Sequence, residues 1–312
     1  MTALPGTAMR RPVREVTMLV NPAAGRGAAR RAADEAAGRL AERGVAVTEI
    51  TGADAAASAR LARDAVAAAG LDALVVVGGD GMVSLAWNAL AGSGVPLGLV
   101  PAGTGNDHAR AFDIPRRSPR QAADVVADGA RRPIDLARAT TADGVQHWFG
   151  SVLAAGFDSL VSDRANRLRW PRGRSRYNVA MLLEFARLRP LPFRVVADDR
   201  VIERDVLLVA VGNTSSYGGG MRICPAADPA DGLLDVTVAA AAGRGRVLRQ
   251  FPQVYRGTHV RHPEVETFQT HRVRIEAADG VGITAYADGD PLGPLPVAVE
   301  VAPGTGQILV RA

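Results

Sequence analysis

Three glycine-rich turns, each directly behind a short apolar run, constrain this chain more than any other feature. They read Asn21-Pro22-Ala23-Ala24-Gly25-Arg26-Gly27, Gly78-Gly79-Asp80-Gly81 and Pro101-Ala102-Gly103-Thr104-Gly105-Asn106-Asp107. The runs that feed them are Val16–Val20, Leu74–Val77 and Leu97–Val100. The near-continuous hydrophobicity of Leu74–Val77 is that of a strand buried on both faces. A further strand is expected at Val45–Ile50, and helices at Ala28–Arg43, near Ser58–Ala69, up to about Ala91 and from about Asp107. Strands alternating with helices predict a doubly wound parallel α/β sheet. All three turns, and Thr51, then fall on its carboxyl edge. Glycine lets backbone N–H groups turn inward and approach a ligand, and N–H groups at a helix start attract anions. Three such turns on one edge predict a polyphosphate site.

The 37 Lys+Arg residues are all arginine. A Walker A loop and the strand lysine of a protein kinase are therefore excluded. A nucleotide held here is held by backbone, hydroxyls, arginine and metal. The net charge of +5 favours an anionic partner: nucleotide, nucleic acid or an acidic membrane surface. No recognisable nucleic-acid module accompanies it. Cys224 stands alone, so there is no intrachain disulfide and no Cys-based zinc cluster, and a reducing, cytoplasmic compartment is expected. Beside Pro225 it reads as buried filler. No apolar run is long enough to cross a bilayer and the N-terminus has no apolar h-region. Met1–Pro12 reads as a disordered tail.

The grammar changes around Arg131–Asp135. Beyond it, Trp148–Ala154, Phe193–Ala197, Val206–Val211, Leu234–Ala239, Val273–Glu276, Gly282–Ala287 and Val297–Val301 are short runs between turns, with one helical stretch near Asn178–Leu188. They predict an antiparallel, sandwich-like β domain. The expected division is an α/β domain over 14–137 and a β-rich domain over 138–303. The closing segment, 304–312, is free to return to the first. The densest basic run, Arg164, Arg167, Arg169, Trp170, Arg172, Arg174, Arg176 and Tyr177, fits either an anionic lipid surface or a solvated interdomain face.

With these motifs in hand the chain resembles the diacylglycerol kinase catalytic-domain superfamily, specifically the soluble bacterial lipid kinases related to sphingosine kinases. Five motifs in order carry the likeness. They are Asn21-Pro22-Ala23 with Gly25, Gly78 to Gly81, and Gly103 to Asp107. The fourth is Asn213 with Gly218-Gly219-Gly220, Pro225-Ala226-Ala227 and Asp231-Gly232-Leu233-Leu234-Asp235, and the fifth is Asp288-Gly289-Asp290. The chain departs from the pattern at Met82, Ser84 and Leu85. It has His108 where phenylalanine is usual, and Asp290 where glutamate is common.

The resemblance implies ATP and Mg²⁺, and a lipid hydroxyl as acceptor, by default that of diacylglycerol, met peripherally at the inner face of the membrane. Asn21, Pro22, Ala23, Thr51, Gly78, Gly79, Asp80, Gly81, Gly103, Thr104, Gly105 and Asn106 would form the nucleotide site. Asp80 is placed to organise Mg²⁺ or its waters, or else to cap a helix; Asp107 has the same capping alternative. Asp228, Asp231 and Leu233 resemble the family's structural Mg²⁺ loop, the alternative being an Asp-Gly turn. Asp288 matches the position of the general base. Asp290 is the other candidate, or a support for Mg²⁺. In an extended segment the two would point the same way across Gly289; an Asp-Gly hairpin is the alternative. Two other functions stay open: an NAD kinase or phosphofructokinase-like small-molecule kinase, and a non-catalytic nucleotide or anionic-membrane binder. The oligomeric state is open too, a homodimer included.

Overall fold

The computed structural model describes residues 9–21, 27–68, 70–168, 174–198, 200–278 and 282–311. Strand β1 (Met9–Arg10) pairs antiparallel with Arg131 and Ala130, so part of the expected disordered tail is strand; the Arg11 N–H extends the contact to the Gly129 carbonyl at 3.1 Å. The α/β unit follows. β2 (Glu15–Val20), α1 (Ala28–Glu42), β3 (Ala46–Ile50), α2 (Ala55–Ala67), β4 (Ala73–Gly78), α3 (Asp80–Leu90), β5 (Leu97–Pro101), α4 (Asp107–Ala111) and α5 (Pro119–Asp128) alternate as expected. The parallel strands lie in the order β5-β4-β2-β3. Every residue of β4 is buried, as a central strand covered by helices on both faces must be. In α1 the buried residues Ala29, Ala32, Ala33, Ala36 and Leu40 fall on one helical stripe, and their small side chains let the helix lie close to the sheet. Ser118 caps α5 by accepting the Gln121 N–H at 3.2 Å, and Gly129 ends it in the left-handed region.

Two long strands join this unit to the second. β6 (Ala130–Thr141) runs antiparallel to β16 (Val297–Val310) along almost its whole length, with an irregularity between Ala302 and Gly306. The last turn of β16 lies beside the α/β sheet, Ile308 pairing parallel with Leu97. Between β6 and β16 come β7 (Gln146–Phe149), β8 (Val152–Gly156), α6 (Phe157–Arg167), α7 (Arg174–Ala186), β9 (Leu191–Ala197) and β10 (Arg200–Gly212). These are followed by β11 (Leu234–Ala240), α8 (Arg244–Val254), β12 (Val265–Thr270), β13 (Arg272–Ala277), β14 (Thr284–Ala287) and β15 (Asp290–Pro294). β10 changes partners midway: its first half pairs with β9, its second with β8 and β11. The two layers so formed share one core, in which Phe193, Val195, Val273, Ile275 and Val299 of one meet Leu153, Val209, Val211, Val236 and Val238 of the other.

The expected single run Trp148–Ala154 is two strands, because Gly150-Ser151 leaves the ladder to place two backbone N–H groups on a carboxylate. The expected extended segment at Asp288–Asp290 is a hairpin turn. Ala287 pairs with Asp290, and Asp288 and Gly289 both take positive φ, 50° and 91°. That is the conformation a two-residue turn needs to match strand twist, and Asp-Gly is the pair that adopts it. Its consequence is chemical: Asp288 takes the Gly150 and Ser151 N–H groups while Asp290 sits against Ser84 and Gly81 of α3.

Candidate active site

The turn after β4 and the turn after β5 touch. A methyl group added at Gly79 would come 3.1 Å from the Gly103 Cα. Asn106, in the left-handed region at φ 52°, locks the second turn: its amide accepts the Gly103 N–H at 3.1 Å and donates to the Gly103 carbonyl at 3.0 Å. Asn106 thus shapes the loop with its side chain. Thr104, Gly81 and Thr51 are exposed along the same edge. Asn21 directly follows β2 and is partly buried, whereas Pro22 and Ala23 lie outside the described residues.

Asp80 opens α3 but acts on another helix. Its Oδ1 accepts the N–H of Asp107 at 2.7 Å and of His108 at 3.2 Å, capping α4 from across the loop pair. Its Oδ2 faces Gly105, where an added methyl would come within 2.7 Å. Burial raises the Asp80 pKa, yet the imidazole and backbone N–H of His108, with the Asp107 N–H, outweigh it and hold the carboxylate below its usual range.

His108 is the centre of the arrangement. Its buried ring lies with Nδ1 3.2 Å from Asp80 Oδ1 and Nε2 3.4 Å from Asp288 Oδ2, the latter an electrostatic contact rather than an aligned hydrogen bond. Burial alone would lower its pKa. The two carboxylates, Asp288 foremost, overrule this and push it up to about 10. With a carboxylate at each nitrogen, the ring is an imidazolium at neutral pH.

Asp288 is closed off from the cleft. Its Oδ2 accepts the Gly150 N–H and its Oδ1 the Ser151 N–H, both at 2.9 Å, and its side chain is 0% exposed. Asp290, across the hairpin turn, sits against the start of α3. Its Oδ1 would stand 3.9 Å from a methyl placed on Gly81, with nothing else near that point. Burial raises the Asp290 pKa and the Asp288 charge adds to this, against a hydrogen bond from Ser84.

Asp107 makes a second tie between the domains. Its Oδ2 accepts the Gly219 N–H at 2.6 Å, and its Oδ1 is paired with Arg110. Gly218, Gly219 and Gly220 all have positive φ, so the loop that delivers this N–H has to be glycine. Burial leads the causes that raise the Asp107 pKa, and the Asp80 charge adds to it. The bridging roles of His108 and Asp107 were not legible in the sequence; the hint was His108 itself, a polar residue where phenylalanine is usual.

The Asp228–Leu233 loop is built differently. Asp228 Oδ1 accepts the Ala230 N–H at 3.1 Å and Asp231 Oδ1 the Leu233 N–H at 2.9 Å, two local Asx turns. Gln269 donates to Asp231 Oδ2 and Asp235 Oδ2, each at 3.1 Å. Among the described residues no three His, Cys, Asp or Glu side chains are arranged as a metal cage. Cys224 is buried, donates to the Asp235 carbonyl at 3.3 Å, and has a thiol pKa pushed up to about 12, chiefly by burial; it is inert filler. In the basic run, Arg164 is paired with Glu184 across α6 and α7, Arg167 is exposed, and Arg169, Trp170 and Arg172 lie outside the described residues.

Two family models match the chain. The diacylglycerol kinase catalytic domain covers residues 15–139, and the YegS C-terminal NAD kinase beta sandwich-like domain covers 151–310. Over 305 residues the chain is 51% identical to a diacylglycerol kinase of Mycobacterium tuberculosis strain H37Rv, with 97% of each covered. It is 31% identical over 243 residues to a probable YegS-like lipid kinase of Stenotrophomonas maltophilia, covering 75% of this chain and 77% of that one. A crystal structure of a putative diacylglycerol kinase from Bacillus anthracis strain Sterne shares the fold, with a TM-score of 0.77 at 20% identity over 97% of this chain and 99% of that one.

Proposed function

The chain belongs to the diacylglycerol kinase catalytic-domain family, and from that premise we propose that it transfers the γ-phosphoryl group of ATP to the free hydroxyl of a diacylglycerol-type lipid. The observation that carries the reading is the reach of Asp290, from the β-rich domain, to the exposed Gly81 of the first domain's phosphate turn. Phosphoryl transfer asks chiefly for positioning, a phosphate cradle and an acceptor for the hydroxyl proton. The two touching glycine turns are the cradle, through backbone N–H groups and the Thr104 hydroxyl. Asp290 takes the proton as the lipid oxygen bonds to the γ-phosphorus and the bond to the β-phosphate oxygen breaks, leaving ADP. Its raised pKa suits a base working nearer neutrality. Asp288, enclosed by Gly150, Ser151 and His108, holds the hairpin that aims Asp290.

Mg²⁺ fits the donor set. It takes hard oxygen ligands and few carboxylates, and Asp80 caps α4 with Oδ1 while Oδ2 has no hydrogen bond among the described residues. Asp80 Oδ2 would hold the ion or its waters, and the bound ion would supply neutralisation of the phosphate charge. In the second loop a structural Mg²⁺ would take Asp228, Asp231 and the Leu233 carbonyl. The enzyme would meet its substrate peripherally, at the cytoplasmic face where ATP is found; no described helix is long and apolar enough to cross a membrane.

Transfer of labelled γ-phosphate from ATP to dioctanoylglycerol in detergent micelles, with NAD as a competing acceptor, tests the reading. Labelled phosphatidic acid is expected. Label on NAD alone would assign the small-molecule kinase, and no labelled product would assign a binding protein.

A further inference from the structure

Residues 236–263 contain five arginines, at 244, 246, 249, 256 and 261, and no aspartate or glutamate. Helix α8 occupies the middle of this stretch and none of its residues is buried. At about 100° per residue, Leu248, Pro252 and Tyr255 fall in one sector about 60° wide. Arg249 borders that sector on one side and Arg244 on the other, and Arg256 follows in the turn that ends the helix. Leu248 is 63% exposed and Tyr255 48%, and Phe251 braces the tyrosine edge-on at 6.1 Å. Arg246 is paired with Glu264, whereas Arg244, Arg249 and Arg256 form no ion pair among the described residues.

The helix is held from its other side. The Val254 carbonyl accepts the Arg222 N–H at 3.0 Å, and Gln253 meets His262 at 2.9 Å. From Arg222 the chain runs back through the Tyr217–Met221 bridge to Gly219, whose N–H donates to Asp107. The outward face of α8 is therefore braced, through one short loop, to the candidate active site.

Water is a poor neighbour for an exposed leucine and tyrosine set among unpaired arginines. A second copy would set arginine against arginine. An anionic bilayer suits both kinds of side chain: the apolar sector enters the headgroup boundary while the guanidinium groups remain at lipid phosphates. We propose that α8 docks this protein on membranes, its Leu248–Tyr255 face seated in the headgroup layer of an anionic phospholipid bilayer. The proposal rests on the lipid-kinase reading for its purpose and on α8 for its evidence.

The test is sedimentation with phosphatidylcholine vesicles, with and without phosphatidylglycerol. The wild type is compared with the triple variant Arg244→Gln, Arg249→Gln, Arg256→Gln and with the double variant Leu248→Ser, Tyr255→Ser. Binding to the phosphatidylglycerol vesicles is expected to fall on the order of a hundredfold in the triple variant. It should fall about tenfold in the double variant, and added salt should weaken the wild type. Turnover of dioctanoylglycerol in detergent micelles should be unchanged in both. Unaltered vesicle binding in the two variants would overturn the proposal. So would a change of oligomeric state without vesicles, which would assign the face to a second copy. A wild type that binds vesicles but labels no lipid in micelles would retire the kinase reading and leave the docking helix standing.

Discussion

The Asp80, Asp107, Asp288 and Asp290 cluster and the Asp228, Asp231 and Asp235 loop are both sets of aspartates from glycine-bearing sequence motifs. They differ in what surrounds the charge. The first straddles the two domains, its acids wholly or partly buried, with an imidazolium between two of them. The second is a surface loop beside β6, with Asp228 59% exposed, its Oδ1 turned back on its own backbone and 3.8 Å from Arg132. Aspartate in an exposed local turn answers first to its own backbone and to water. Aspartate at a domain junction has its ionisation set by residues far away in the chain, and there its state becomes usable for chemistry.

Asp288→Asn is expected to give the largest effect on stability. The amide has one acceptor for two N–H donors, and its NH₂ would face either a backbone N–H or the imidazolium. Removing one partner of such a buried set costs about 3–5 kcal/mol, read by denaturant unfolding. A loss no greater than that of Asp231→Asn would erase the distinction between the two regions.

His108→Phe sharpens the comparison through pH. A pKa raised from 6.5 to about 10 adds stability that is fully present below about 6.5 and is lost as pH rises through 10. Thermal unfolding of the wild type should therefore weaken between neutral pH and pH 10, by an amount on the order of a few kcal/mol. The phenylalanine variant should lack that decline. Parallel curves for the two proteins would mean that the ring carries no charge.

Asp228→Ala should matter least. Losing an exposed Asx turn costs about 0.5–1 kcal/mol, and with Mg²⁺ absent the melting temperature should barely move. If Mg²⁺ stabilises the wild type but not this variant, the structural metal proposed for the loop is supported.

Much of the first domain was legible because its signals are local. Apolar runs such as Leu74–Val77 and the glycines behind them give strand, turn and helix within a few residues. Helix α5 lies outside the helices expected above, although Ser118-Pro119 at its start and Gly129 at its end are local signals of the same kind. α8 has no buried face and so no core-facing stripe to find. Asp288 and Asp290 were legible as candidates, but their different partners were not. Those depend on the pairing of β14 with β15, which bends the Asp-Gly pair into a hairpin turn. The His108 bridge depends on Asp80, 28 residues back, and Asp288, 180 residues on, and no local pattern encodes it.

In the proposed reaction the junction cluster performs the transfer and Asp290 accepts the proton. Turnover of dioctanoylglycerol by Asp290→Asn and Asp231→Asn, measured side by side in proteins shown to be folded, tests it most directly. A loss of about 10²–10⁴-fold is expected in Asp290→Asn, the range a positioned general base contributes, with Asp231→Asn close to the wild type. Near-normal turnover in Asp290→Asn, or an equal loss in both, would contradict it.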